Sequence, residues 1–216
     1  MLTTSNQYGN PTAEMMQWIA KTTFLDHLFT PCTQEKFAPN ESEAVKSELV
    51  QLCNLTQELV KSPDLLKRYR LYDRSLVQYV SGFTFENDAE TGAIFKELTK
   101  EVFEDVSPLV YKLKLHFQRQ RPFQLAAIHQ VQLYPFASFS SQSPAFPCLH
   151  TTVSFVLSNV IGNRLPVTYK YLKDLADDVY HSRLYMGLCL QSDADAGRRI
   201  AEKIISEPEF KIKYGL

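Results

Sequence analysis

Apolar residues recur along this chain at three- and four-residue steps, the period of amphipathic helices. The steps are clearest at Val45, Leu49, Leu52, Leu55 and Leu59, a single buried stripe behind a start signal in which Asn40 or Ser42 caps the first turn. Upstream, Met16, Ile19, Phe24 and Leu28 place a helix over residues 13–29, closed by Pro31. Ser62 and Pro63 restart the chain as cap and first helical residue. Leu65, Leu66, Tyr69, Tyr72, Leu76 and Tyr79 carry that helix to Gly82. Asn87 and Asp88 then cap a long helix marked by Ile94, Leu98, Val102, Val106, Val110 and Leu113. Pro108 falls inside that run and predicts a kink or a break. The pattern resumes to about Arg119, and Pro122 stops it. Residues 124–147, rich in Ser, Phe and Gln, read as an irregular stretch long enough to suggest function. Three further helices are expected over 148–161, 166–186 and 192–206. With seven scattered glycines, little hairpin chemistry, no repeat and no linker, the expected architecture is all-α, a helical bundle forming one domain over residues 1–216.

Composition narrows the class. A chain of 216 residues with 44% hydrophobic and 22% charged residues can bury a core without disulfides or a metal. Its 23 basic and 24 acidic residues leave a net charge of -1, which argues against a general nucleic-acid binder. Cys32, Cys53, Cys148 and Cys189 form no CxxC pair, so they read as free thiols in a reducing compartment. No metal-binding cluster is visible. The polar start, Met1 to Thr12, is not a signal peptide. The most apolar run, Val153 to Ile161, falls short of the roughly 20 residues that cross a bilayer. The protein is therefore expected to be soluble, with a cytoplasmic location favoured over secretion.

Three short segments concentrate the chemistry. The first runs from Lys114 through Arg121 to Pro122, the second is Phe146-Pro147-Cys148-Leu149-His150-Thr151-Thr152, and the third runs from Ser182 and Arg183 through Cys189 to Asp193. Lys114 and Arg121, seven apart, share a face if one helix carries both. With Arg183 they would make a pocket for a tetrahedral dianion, for which the planar guanidinium fork is well suited.

In order and spacing these segments resemble the three-part signature of the type 2 phosphatidic acid phosphatase and vanadium-dependent haloperoxidase superfamily: Lys-x6-Arg-Pro, Pro-Ser-Gly-His and Ser-Arg-x5-His-x3-Asp. Residues ~85 to 205 carry the resemblance, and the run from Ser192 to Arg198 is similar to soluble bacterial nonspecific acid phosphatases. The resemblance implies a helical bundle, with phosphate held by Lys114, Arg121, Arg183 and the residues at 148 and 149. It also implies His150 as general acid, position 189 as the phosphoryl-accepting nucleophile and Asp193 as the residue that orients it. Three positions depart from the pattern. Cys148 replaces the serine, Leu149 the glycine, and Cys189 the nucleophilic histidine.

Each residue also has a plainer role available. Lys114 and Arg121 could form a solvated helix face, His150 could cap or pack, and Asp193 could cap the helix that follows it. The register of the three motifs favours the anion site for the cations and His150, and leaves the two roles of Asp193 even. His27, His116, His129 and His181 read as structural or surface residues. Two functions stand level: a soluble phosphomonoesterase with an altered nucleophile, and a non-catalytic relative that binds phosphate or a phosphorylated ligand or serves assembly. A haloperoxidase ranks below both, because its vanadate is bonded to the missing histidine. Only that alternative calls for a cofactor. The expected partner is phosphate or a phosphate ester, with no nucleic acid and no membrane span. Superfamily members are often oligomers, so a homo-oligomer is compatible with the resemblance.

Overall fold

The computed structural model describes residues 12–74, 89–138 and 141–216, and among these there is no strand. The first helix, α1 (Ala13–Ala20), starts where the Thr12 hydroxyl accepts the Met15 amide at 3.2 Å. It is shorter than its periodicity suggests. Lys112 donates to the Lys21 carbonyl at 2.9 Å and to Asp26 at 2.7 Å, which ties the chain leaving α1 to a neighbouring helix. A 3-10 turn, Asp26–Leu28, and a short α2 (Phe29–Cys32) follow, so the expected helix over 13–29 is two pieces and Pro31 lies inside the second. In α3 (Glu43–Val60) the cap is Ser42, its hydroxyl accepting the Val45 amide at 3.3 Å. Val45, Leu49, Leu52 and Leu59 are buried as the stripe requires. Next comes α4 (Pro63–Arg74), which opens on its proline. Leu76, Tyr79, Gly82 and the Asn87–Asp88 cap lie outside the described residues.

The long helix α5 (Ala89–Phe117) is continuous through Pro108, so of the expected kink or break, the break does not occur. A proline inside a helix forfeits one backbone bond and crowds the preceding turn, at about 3 kcal/mol. Here Val102, Val106, Leu109, Val110 and Leu113 are fully buried on either side of it, and that packing holds the helix together. Pro122 likewise does more than stop a helix. It is the first residue of α6 (Pro122–Ile128), with the Arg121 amide donating to Gln124 Oε1 at 2.8 Å.

The centre of the fold is α7 (Leu149–Arg164), which packs against α5, against α8 (Tyr169–Tyr185) and against α9 (Gln191–Ser206). A helix enclosed on all sides has no polar face. Its serine hydroxyls turn back onto its own carbonyls: Ser154 to Thr151 at 3.1 Å and Ser158 to Phe155 at 2.9 Å. This is the segment whose apolar run was the nearest to a membrane span. No described helix is long and apolar enough to cross a membrane. A last helix, α10 (Pro208–Tyr214), buries Phe210 and Tyr214.

The approach of α9 to the start of α7 depends on Gly197. A methyl group there would meet the Cys148 carbonyl at 2.7 Å and the Thr151 and Thr152 side chains at 3.2 Å. Gly197→Val is expected to lower stability by about 1–3 kcal/mol, the usual cost of overpacking a fixed contact. Denaturant melts of wild type and variant measure this; an unchanged midpoint would show that the two helices are free to separate.

Candidate functional site

The three motif segments meet at the N-terminal end of α7. Lys114 is on the last turn of α5, but Arg121 lies beyond that helix, as the cap of α6. The seven-residue spacing therefore does not place them on one helical face. The chain between them leaves the helix, with Gln118 at φ 48, and returns Arg121 to the same region. Both side chains reach the loop ahead of the second motif. Lys114 Nζ donates to the Pro144 carbonyl at 2.6 Å and the Ala145 carbonyl at 3.1 Å. Arg121 donates to the Ser143 carbonyl at 2.7 Å, to the Leu188 carbonyl at 2.8 Å and to the Ser143 hydroxyl at 3.2 Å. One of its nitrogens also stands 3.6 Å from Cys189 Sγ. Lys114, Arg121 and Arg183 are all buried.

Arg183 is near the end of α8 and meets a carboxylate that sequence reasoning did not single out. Its guanidinium donates to Asp73 of α4 at 3.2 Å, and the Ser138 hydroxyl donates to the same oxygen at 2.7 Å. Beyond Asp73 is a cavity of about 600 Å³ walled by Leu66, Leu71 and Ala137, with Lys67 and Arg70 also lining it. The chain reaches the third motif through a tight helix end. Gly187 at φ 70 donates to the Leu184 carbonyl, and Leu188 to the Arg183 carbonyl, the paired bonds that a left-handed glycine makes possible. That turn delivers Leu188 and Cys189 to Arg121.

Asp193 is wholly buried in the first turn of α9. One oxygen accepts the Leu190 amide at 2.8 Å, and the other accepts Arg119 at 2.9 Å. Arg119 is a second residue to which the motif pattern assigns no role. It is buried, donates also to Ser192 at 2.8 Å, and stacks 4.5 Å over the Phe37 ring. No spacing rule marks it, because its partner lies in another motif. Cys189 precedes α9 and is not on its helical face. Its thiol donates to Cys148 Sγ at 3.3 Å. Leu149 packs into the main apolar core. Among the other histidines, His27 pairs with Glu207 at 3.1 Å, His129 contacts the Asn40 carbonyl at 2.7 Å, and His116 packs edge-on against Phe29.

Burial, hydrogen bonding and the neighbouring cations together set the local protonation. Burial, then Arg121, pushes Lys114 down to about 8. Burial, then Arg183, holds His150 well below the ordinary histidine value, with Asp73 pulling the other way. The hydrogen bond to Cys148, then burial, pushes the Cys189 thiol far up. Burial opposes ionisation of Cys148, but the hydrogen bond from Cys189 and the charges of Lys114 and Arg183 prevail and pull it below the ordinary thiol value.

His150 gives a pH signature. Its folded value lies below its unfolded one, so its contribution to stability is intact above about pH 6.5 and is lost as pH falls below that, where the unfolded chain takes up the proton first. In anion-free buffer, His150→Asn should flatten the decline in melting temperature between about pH 6.5 and 5. An identical decline in both proteins would show that His150 protonates freely in the folded state.

Fold and site together define an all-helical protein built around a buried cluster of cations. In overall structure the chain is similar to a transmembrane PAP2 type phosphatidylglycerolphosphate phosphatase from Bacillus subtilis, at 17% identity, with 87% of each chain covered and a TM-score of 0.38. No protein-family model matches the chain, and no curated protein matches it. A likeness of that size assigns neither an activity nor a substrate.

Proposed function

We propose that the chain is a relative of the PAP2-type phosphatases that binds a tetrahedral oxyanion, as phosphate or a phosphate ester, without hydrolysing it. The observation that carries this reading is the pairing of these groups with one another at the N-terminal end of α7. The thiol at the nucleophile position is held protonated against Cys148. The aspartate meant to orient it is bonded to Arg119 and Leu190. Binding asks less than catalysis. A bound dianion would favour protonated His150 and Lys114, and could take the place of the Asp73 carboxylate on Arg183. Leu66, Leu71 and Ala137 would then receive an apolar ester group in the cavity beyond Asp73.

Sulfate stays a dianion across the working pH range and is the cleanest probe. It should raise the melting temperature by mass action, more strongly at pH 6 than at pH 8 as His150 and Lys114 take up protons. Arg121→Lys and Arg183→Lys should lose most of that increment, because an ammonium replaces a two-oxygen fork. An increment of equal size in wild type and both variants would reject the site.

A further inference from the structure

Two of the three substitutions that break the phosphatase-like pattern are the same residue type and are neighbours in space. Cys148 and Cys189, 41 residues apart in sequence, have their sulfurs 3.3 Å apart, and both residues are buried. Their backbones are fixed independently: the Cys148 amide donates to the Asp193 carbonyl at 3.0 Å and the Cys189 amide to the Arg183 carbonyl at 3.3 Å. We propose that Cys148 and Cys189 are a redox-active pair that a small hydroperoxide oxidises to a disulfide, joining the start of α7 to the turn after α8.

The surroundings favour sulfur chemistry over metal capture. Lys114, Arg121 and Arg183 repel a cation, and no cluster of three metal-ligating side chains occurs among the described residues. The same charges stabilise a thiolate. Cys148 is the cap residue of the 16-residue α7, where the helix end adds positive potential. The asymmetry assigns the roles. Cys148 is the acceptor of the thiol hydrogen bond and the sulfur that Lys114 and Arg183 favour as an anion. Cys189 is the protonated partner that follows. The Cys148 thiolate attacks one peroxide oxygen, the O–O bond breaks, and the departing alkoxide or hydroxide takes a proton and leaves as alcohol or water. The Cys189 sulfur then attacks the Cys148 sulfenic acid and releases water. Two thiols are thus oxidised by one electron each, and one peroxide is reduced by two: two thiols and ROOH give a disulfide, ROH and water. A dithiol reductant reverses the state. The sulfurs must close from 3.3 Å to a bond of about 2.05 Å.

The remaining cysteines are internal controls, because trypsin would place each cysteine on its own peptide: Cys32 on 22–36, Cys53 on 47–61, Cys148 on 120–164 and Cys189 on 184–198. The whole protein is treated with a small excess of hydrogen peroxide, alkylated, digested without reduction and mapped by mass spectrometry. Peptides 120–164 and 184–198 are expected to be joined and to separate with dithiothreitol, with Cys32 and Cys53 alkylated as in untreated protein. In Cys189→Ser, Cys148 is expected to stop at the sulfenic acid and be trapped by dimedone. Alkylation of both Cys148 and Cys189 after peroxide, a bridge through Cys32 or Cys53, or oxidation of wild-type Cys148 with no bridge would each overturn the proposal. The map uses wild-type protein, so it does not depend on a variant folding. Sulfate binding is read on reduced protein, so failure of either leaves the other standing.

Discussion

Purified protein incubated with para-nitrophenyl phosphate between pH 5 and 8 is expected to release nitrophenol no faster than buffer does. A phosphoryl nucleophile must be unprotonated and aimed at phosphorus, and position 189 meets neither condition. Its thiol is held protonated by its contact with Cys148 and by burial. It is also bonded to a neighbouring sulfur instead of to a base. Removing a covalent nucleophile from an enzyme built around one costs on the order of 10⁶ in kcat. His150 is no substitute: burial, then Arg183, holds it below the ordinary histidine value in the empty site, and its protonation beside a bound anion would supply an acid but no nucleophile. Cys189→Ser should leave this background unchanged. Wild-type turnover that vanishes in Cys189→Ser or Cys148→Ser would show that a thiolate has replaced the histidine and that the protein is a phosphatase.

The largest effect on stability is expected at Arg119. Its ion pair with Asp193 has both side chains fully buried. Removing one member strands the other charge in the interior, at about 3–5 kcal/mol. In a domain of this size each kcal/mol moves the melting temperature by about 2–4 °C, so Arg119→Met should melt roughly 10 °C lower. Asp193→Leu alone should be comparably damaging. The double change Arg119→Met with Asp193→Leu should recover most of the loss, because no charge is left unpaired. A thermal melt of the four proteins decides this. Additive losses would mean that Arg119 and Asp193 act separately.

The parts of the fold that sequence makes legible are those decided locally. The stripe of α3, the Ser42 cap and the start at Pro63 each depend on a few neighbouring residues, and each occurs as expected. The helical starts and stops that differ are decided by tertiary contacts. Pro108 is tolerated because the residues around it are packed. Pro122 begins a helix because proline suits a first turn as well as it ends a preceding one. The site divides in the same way. Motif order singles out Lys114, Arg121, Cys148, His150, Arg183, Cys189 and Asp193 as candidates, and the fold brings their segments to one end of α7. What spacing does not contain is the partner of each charge. Asp73 on Arg183 and Arg119 on Asp193 are contacts between residues 110 and 74 positions apart, and they leave the buried cluster internally paired.

Tungstate, a heavy tetrahedral oxyanion, tests that account directly when soaked into crystals of the reduced protein. The expected result is one strong anomalous peak within hydrogen-bond reach of Lys114, Arg121 and Arg183, with the Asp73 carboxylate moved off Arg183 and both cysteine sulfurs unmodified. A peak bonded to either sulfur, or Asp73 still on Arg183 with tungstate elsewhere or absent, would contradict it.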